Sequence, residues 1–243
     1  MLLACMKSEQ IKLRRSFIWI AFVLIPLIPS LMGTQNYLNN IELLKSEWLS
    51  LWTQETLFYS NFFFAPLIAI YCSYLWRMEN QNKNRYMLLT QPVPVRNVFL
   101  GKFITILKIT FFTQFWVFLL FLISGKLVDL PGLPPAQTFA YTIRGLLGGA
   151  AIAALQLLIS MIVRSFAAPI AIAVAGSISG LIAANSKYGL YYPYSLMMLG
   201  MNANKSDDML SGNNLSFFLF CFFYLVLFCC IAIFLLKHQD VKG

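Results

Sequence analysis

Long apolar runs alternate with short polar segments from one end of the 243-residue chain to the other. Roughly 20 apolar residues in a helix cover the ~30 Å hydrocarbon core of a bilayer. Six runs qualify, at about 17–34, 57–76, 100–123, 145–163, 166–184 and 215–236. Lys12, Arg14 and Arg15 ahead of the first run resemble the start of a signal sequence. Pro26 and Pro29 interrupt that run, however, and Ser30-Leu31-Met32-Gly33 offers no small-x-small cleavage pattern, so it reads as a retained span. The pattern predicts one transmembrane domain over residues 1–243, all-α, with six transmembrane helices.

The segments between the spans have patterns of their own. Residues 1–15 place Leu2, Met6 and Leu13 on one helical stripe, with Lys7, Lys12, Arg14 and Arg15 over much of the remaining surface. This predicts an N-terminal interfacial helix on the inner leaflet, where membrane lipid is its partner. Glu9 falls beside the stripe and does not fit it. Ile41, Leu44, Trp48, Leu51 and Trp52 also recur at helical spacing, among three glutamates, and predict a second interfacial helix outside the membrane. Small residues line spans four and five, as Gly145, Gly149 and Ala153 in one. The other carries two rows, Ala171-Ala175-Ser179-Ala183 and Gly176-Gly180-Ala184, and close packing is the expectation for both spans. The loop after span five holds Tyr188, Tyr191, Tyr192 and Tyr194 around Pro193, then Met197, Met198 and Met201. It either anchors at the interface or dips back into the membrane.

Composition agrees: 59% of residues are hydrophobic and 11% charged, where soluble domains carry about 25% charged. The net charge of +9 points to no nucleic acid, because the eighteen Lys and Arg flank the apolar runs. With both termini in the cytoplasm, twelve of them lie inside and only Lys45, Lys126, Lys187 and Lys205 outside, which is the positive-inside arrangement. The five cysteines, Cys5, Cys72, Cys221, Cys229 and Cys230, have neither CxxC spacing nor an extracellular setting, so no disulfide framework or zinc site is expected.

Catalytic parts are sparse. None of the nine acidic residues falls inside the six predicted spans, and His238 follows the last of them. Metal hydrolysis, carboxylate-pair proteolysis and carboxylate-coupled transport all lack components. No G-x-x-x-x-G-K-[ST] loop is present to hold nucleotide. The expectation is a chain that is not an enzyme and binds no cofactor. Polar residues at membrane depth are Lys108, Gln114 and Gln156, and with Tyr191, Tyr192 and Tyr194 they form the candidate substrate path. Lys108 either faces that path or snorkels back to the headgroups.

The most distinctive stretch is the cytoplasmic loop 77–99. It runs from Leu75-Trp76-Arg77-Met78-Glu79-Asn80 through a polar segment to Met87-Leu88-Leu89-Thr90-Gln91-Pro92-Val93-Pro94, closing at Phe99-Leu100-Gly101-Lys102. A polar helix that turns apolar and is then stopped by proline reads either as a docking edge for another protein or as a solvated linker with one greasy turn. With its Glu, paired Leu, Pro-Val and Gly-Lys, this loop resembles the coupling loop of type-2 ABC exporter permeases. The finer pattern Tyr74–Glu79 and Gln91–Pro94, with Trp52-Thr53-Gln54 before span two, is similar to the lantibiotic-immunity permeases. The resemblance implies a permease paired with a second copy or a sister permease, each half docking one subunit of a cytosolic ABC ATPase dimer that uses the ATP. It implies that Glu79, Met87, Leu88, Leu89, Thr90, Gln91 and Pro92 make the ATPase contact and that Gly101 and Lys102 open span three. It matches the basic leader to an elbow helix and the Tyr/Met loop to a re-entrant segment. The implied cargo is a cationic peptide antibiotic expelled from the plasma membrane of a Gram-positive bacterium. The alternative is the same permease exporting bacitracin or another amphipathic or lipid-linked compound.

Overall fold

The computed structural model describes residues 1–14, 16–81 and 92–238. Among them it contains helices and turns and no strand. In chain order the α-helices are α1 (Leu2–Arg14), α2 (Ile18–Asn39), α3 (Glu47–Phe58), α4 (Phe64–Asn80), α5 (Val95–Leu127), α6 (Ala136–Ile162), α7 (Ala167–Ala184), α8 (Leu196–Met201) and α9 (Asn214–Lys237). Six elements are long and apolar enough to cross a membrane: α2, the α3–α4 unit, α5, α6, α7 and α9. α4 and α6 form the centre, and α2, α7 and α9 present rows of bare apolar side chains such as Leu24, Ile178 and Phe222. That exposure is what a lipid-facing helix shows, because hydrocarbon replaces water as its solvent.

The second span is longer than its apolar run. A single π-helical turn, Tyr59–Phe63, joins α3 to α4, so Glu47–Asn80 is one helical rod. The expected interfacial helix around Trp48 and Trp52 is therefore not separate but continuous with span two, and both indoles are buried. Trp48 packs on the face left bare by Gly125 and donates its Nε1–H to the Pro131 carbonyl at 2.8 Å. Trp52 donates to the Met201 carbonyl at 2.8 Å. Each indole found its polar partner within the protein, which removes the reason to sit at the membrane surface.

One acid, two residues ahead of the apolar run at 57–76, belongs to this same rod. Glu55 is 2% exposed within the rod. Its Oε1 accepts from the Thr34 hydroxyl at 3.1 Å, and the Ser30 and Ser124 hydroxyls stand beside it. The backbones of α2 and α3 touch here, since a Cβ on Gly33 would lie 2.4 Å from Glu55 Cα. The bundle thus has two ends. α4 stops and α5 starts at what we call the loop end, and Trp48, Glu55 and Arg144 lie toward the far end.

Candidate functional site

At the loop end, four charged side chains meet inside the protein. Glu9 and Lys12 come from α1, Glu79 from the last turn of α4, and Lys102 from the second turn of α5. Lys102 is 0% exposed, and its Nζ donates to both Glu9 oxygens at 2.9 Å and to Glu79 Oε1 at 2.8 Å. Trp76 presents its ring face 5.1 Å from the same ammonium. Lys12 bridges the two acids, 2.7 Å from Glu9 and also bonded to Glu79. Burial opposes the charge on Lys12, but Glu9 and Glu79 more than offset it and hold its ammonium above the ordinary lysine pKa. The cluster contains two formal charges of each sign, the condition under which buried ions are tolerated.

Local sequence explains how α1 reaches the cluster. Leu2, Met6 and Leu13 turn toward the bundle, as their spacing requires, and Glu9 lies on that same inward side. Gly101 is the seat: a Cβ there would lie 2.8 Å from the Cys5 Cβ. The Gly101–Lys102 pair thus supplies both the close approach and the charge. Glu79 is buried, and its Oε1 accepts from both Lys102 and Lys12. Pro92 is exposed two residues ahead of the α5 N-cap, Pro94. Met87, Leu88, Leu89, Thr90 and Gln91 lie outside the described residues.

The Tyr/Met loop forms a second constellation. After α7 the chain makes two 3₁₀ turns, Gly189–Tyr191 and Pro193–Ser195, followed by α8, and this segment wedges between α6 and α7. Glycines make the room. A Cβ on Gly200 would strike the Arg144 carbonyl at 2.7 Å, one on Gly148 the Leu196 carbonyl at 2.6 Å, and one on Gly176 the Tyr194 ring at 2.6 Å. Tyr194 reaches Gln156, twelve positions along α6 from Arg144 and so about 18 Å deeper. Gln156 Nε2 donates to the Tyr194 hydroxyl at 2.6 Å. Of the two small-residue rows on α7, Gly176-Gly180-Ala184 is buried, while Ala171, Ala175 and Ser179 face outward.

The six candidate path residues do not converge. Gln114 is buried beside the wedge, donating to Met201 Sδ at 3.5 Å and accepting from Tyr59 at 3.3 Å. Gln156 pairs with Tyr194, as above. Tyr192 shares a 2.7 Å hydrogen bond with Ser179, and Tyr191 is 59% exposed with its ring edge-on to Phe220. Lys108 lies elsewhere, on the exposed side of α5 beside α1.

Sequence reasoning missed Glu9 and Lys12 as members of a site, although an acid beside an apolar stripe in a basic leader was the available signal. It also missed Arg144, whose guanidinium makes two 3.0 Å bonds to Asp208 and one of 2.8 Å to Asn214. Among known proteins, residues 5–180 match the family described as ABC-2 family transporter protein. No curated protein matches the chain.

Proposed function

The chain belongs to the ABC-2 transporter family, and from that premise we propose that it is the permease of a pump that expels lantibiotic-type peptides from the membrane and so confers immunity or resistance. Family membership makes it a multi-pass membrane subunit working with an ABC ATPase. In this proposal the loop end faces the cytoplasm, and the ATPase docks on the segment Met87–Pro92. Closure of the ATPase pushes on the helices that flank the loop.

One observation carries the coupling role. Lys102 joins the end of α4, the start of α5 and the elbow helix α1 in a single buried ion cluster. A force on the loop cannot move α4 or α5 alone without separating unlike charges in a low-dielectric setting, which costs several kcal/mol. Glu79 therefore acts as a joint inside the permease, and the direct contact with the ATPase falls to the loop between α4 and α5. Support for the peptide cargo comes from the resemblance at Tyr74–Glu79, Gln91–Pro94 and Trp52-Thr53-Gln54.

The test is growth inhibition in a sensitive Gram-positive host expressing this chain with its adjacent ATPase and any sister permease. The drug panel holds several lantibiotics, bacitracin and an unrelated compound, beside an ATPase-dead control. Protection against lantibiotics alone, lost in the control, is the expected result. Protection against bacitracin alone moves the cargo to the alternative class. Protection that survives in the ATPase-dead control overturns the pump.

A further inference from the structure

Beside the ion cluster, α1, the first turn of α2 and α5 line an open groove of about 250 Å³. Leu13, Trp19, Ile109 and Phe112 wall it. Trp19 and Phe112 are 44% and 43% exposed, so the groove opens on the outside of the bundle rather than into it. Trp19 is held in place because its Nε1 donates to the Leu13 carbonyl at 3.1 Å. The two charged residues on the lining are Arg14 and Lys108, both cationic and both exposed. Among the described residues neither pairs with an acid, whereas Lys12 and Lys102 nearby are each bonded to two.

Lys108 lies six residues beyond Lys102, about 9 Å further from the loop end along α5. An ammonium at that depth, beside an apolar slot, either snorkels to the headgroups or is met by an anion at the slot. A cationic peptide is repelled by this pair, and a free phosphate leaves the slot unfilled. A molecule with a phosphodiester and an attached acyl chain satisfies both halves. We propose that the groove is a discrete binding site for one anionic glycerophospholipid, its phosphate held between Arg14 and Lys108 and the upper part of an acyl chain lying along Leu13, Trp19, Ile109 and Phe112. The lipid fastens α1 to α5 from the outside, as the ion cluster does from within. The site is independent of which cargo the protein exports.

Native mass spectrometry of the full chain purified in mild detergent and mixed with phosphatidylglycerol or phosphatidylcholine of identical acyl chains tests this. The wild type retains phosphatidylglycerol roughly tenfold better, the order of preference that two cations beside an anionic headgroup supply. Arg14→Gln with Lys108→Gln lowers phosphatidylglycerol retention to the phosphatidylcholine level, and Lys7→Gln, an exposed α1 cation off the groove, leaves it unchanged. Equal retention of the two lipids by the wild type overturns the proposal without recourse to any variant. Unchanged retention in the double variant does so too, and displacement by millimolar inorganic phosphate reassigns the site to a free anion.

Discussion

Each end of the bundle fastens a segment that does not itself span the membrane, and the two ends do it with opposite chemistry. At the loop end, α1 sits on Gly101 and is held by four charges, one of them a fully buried lysine at the centre. Toward the far end, the wedge from Gly189 to Met201 is held by bare glycine backbone and by neutral hydrogen bonds from two amides, one indole and the Tyr192–Ser179 hydroxyl pair. Glycine seats work through contact at van der Waals distance, so they tolerate almost no displacement. Ion clusters act over a longer range and keep their partners together through small shifts. In the proposed pump, the joint beside the ATPase-docking loop relies on charge, and the joint at the far end relies on shape.

The largest expected effect comes from removing the central charge. Lys102→Met leaves Glu9 and Glu79 with Lys12 alone, and breaking a buried ionic group by deleting one partner costs about 3–5 kcal/mol. Thermal unfolding of the purified chain is expected to fall sharply, and protection in cells to vanish. Adding Glu9→Gln to Lys102→Met restores part of the stability, because one of the two stranded charges is then gone. If Lys102→Met alone melts like the wild type, the loop end is not held by charge.

Shape is tested next. Gly148→Ala places a methyl 2.6 Å from the Leu196 carbonyl, and because the obstacle is backbone the wedge itself must shift. Overpacking of this kind costs about 1–3 kcal/mol. Protease sensitivity of the segment 185–213, measured beside the melting temperature, separates a loosened wedge from a generally weakened bundle.

A comparable cost, about 1–3 kcal/mol, follows from Tyr194→Phe, which strips the hydroxyl from Gln156 and leaves a buried amide unpaired. Gln156→Leu with Tyr194→Phe is expected to be milder than the sum of the single changes, since neither polar group then remains. Additive costs for the pair would mean that the hydrogen bond contributes nothing to seating the wedge.

The six long helices were legible from the apolar runs, because span length is imposed by the bilayer. Individual residues were legible only where one rule acted. Leu2, Met6 and Leu13 face the bundle as their spacing demands. Trp48 and Trp52 obeyed two rules, interfacial preference and core packing, and tertiary partners at Pro131 and Met201 decided between them. Glu9 was only half readable: its partner Lys12 lies three positions on, but its other partner Lys102 lies 93 positions away in the chain. Lys108 and Gln114 lie within six residues on one helix, yet one faces outward beside α1 and the other inward on the wedge.

The smallest expected effect sharpens the comparison most, because it places an ion pair at the end otherwise built on shape. Arg144 grips Asp208 with two 3.0 Å bonds, but the Asp208 side chain is 34% exposed. A partly solvated pair of this kind contributes no more than about 1 kcal/mol, and salt screens it. Asp208→Asn is therefore expected to lower the melting temperature slightly at low ionic strength and not at all in concentrated salt. The loss in Lys102→Met is expected to persist in concentrated salt, since Lys102 has no exposed surface at which ions could screen it. Burial, and not the presence of opposite charges, is what sets the loop end apart, and equal salt dependence at the two positions would refute that distinction.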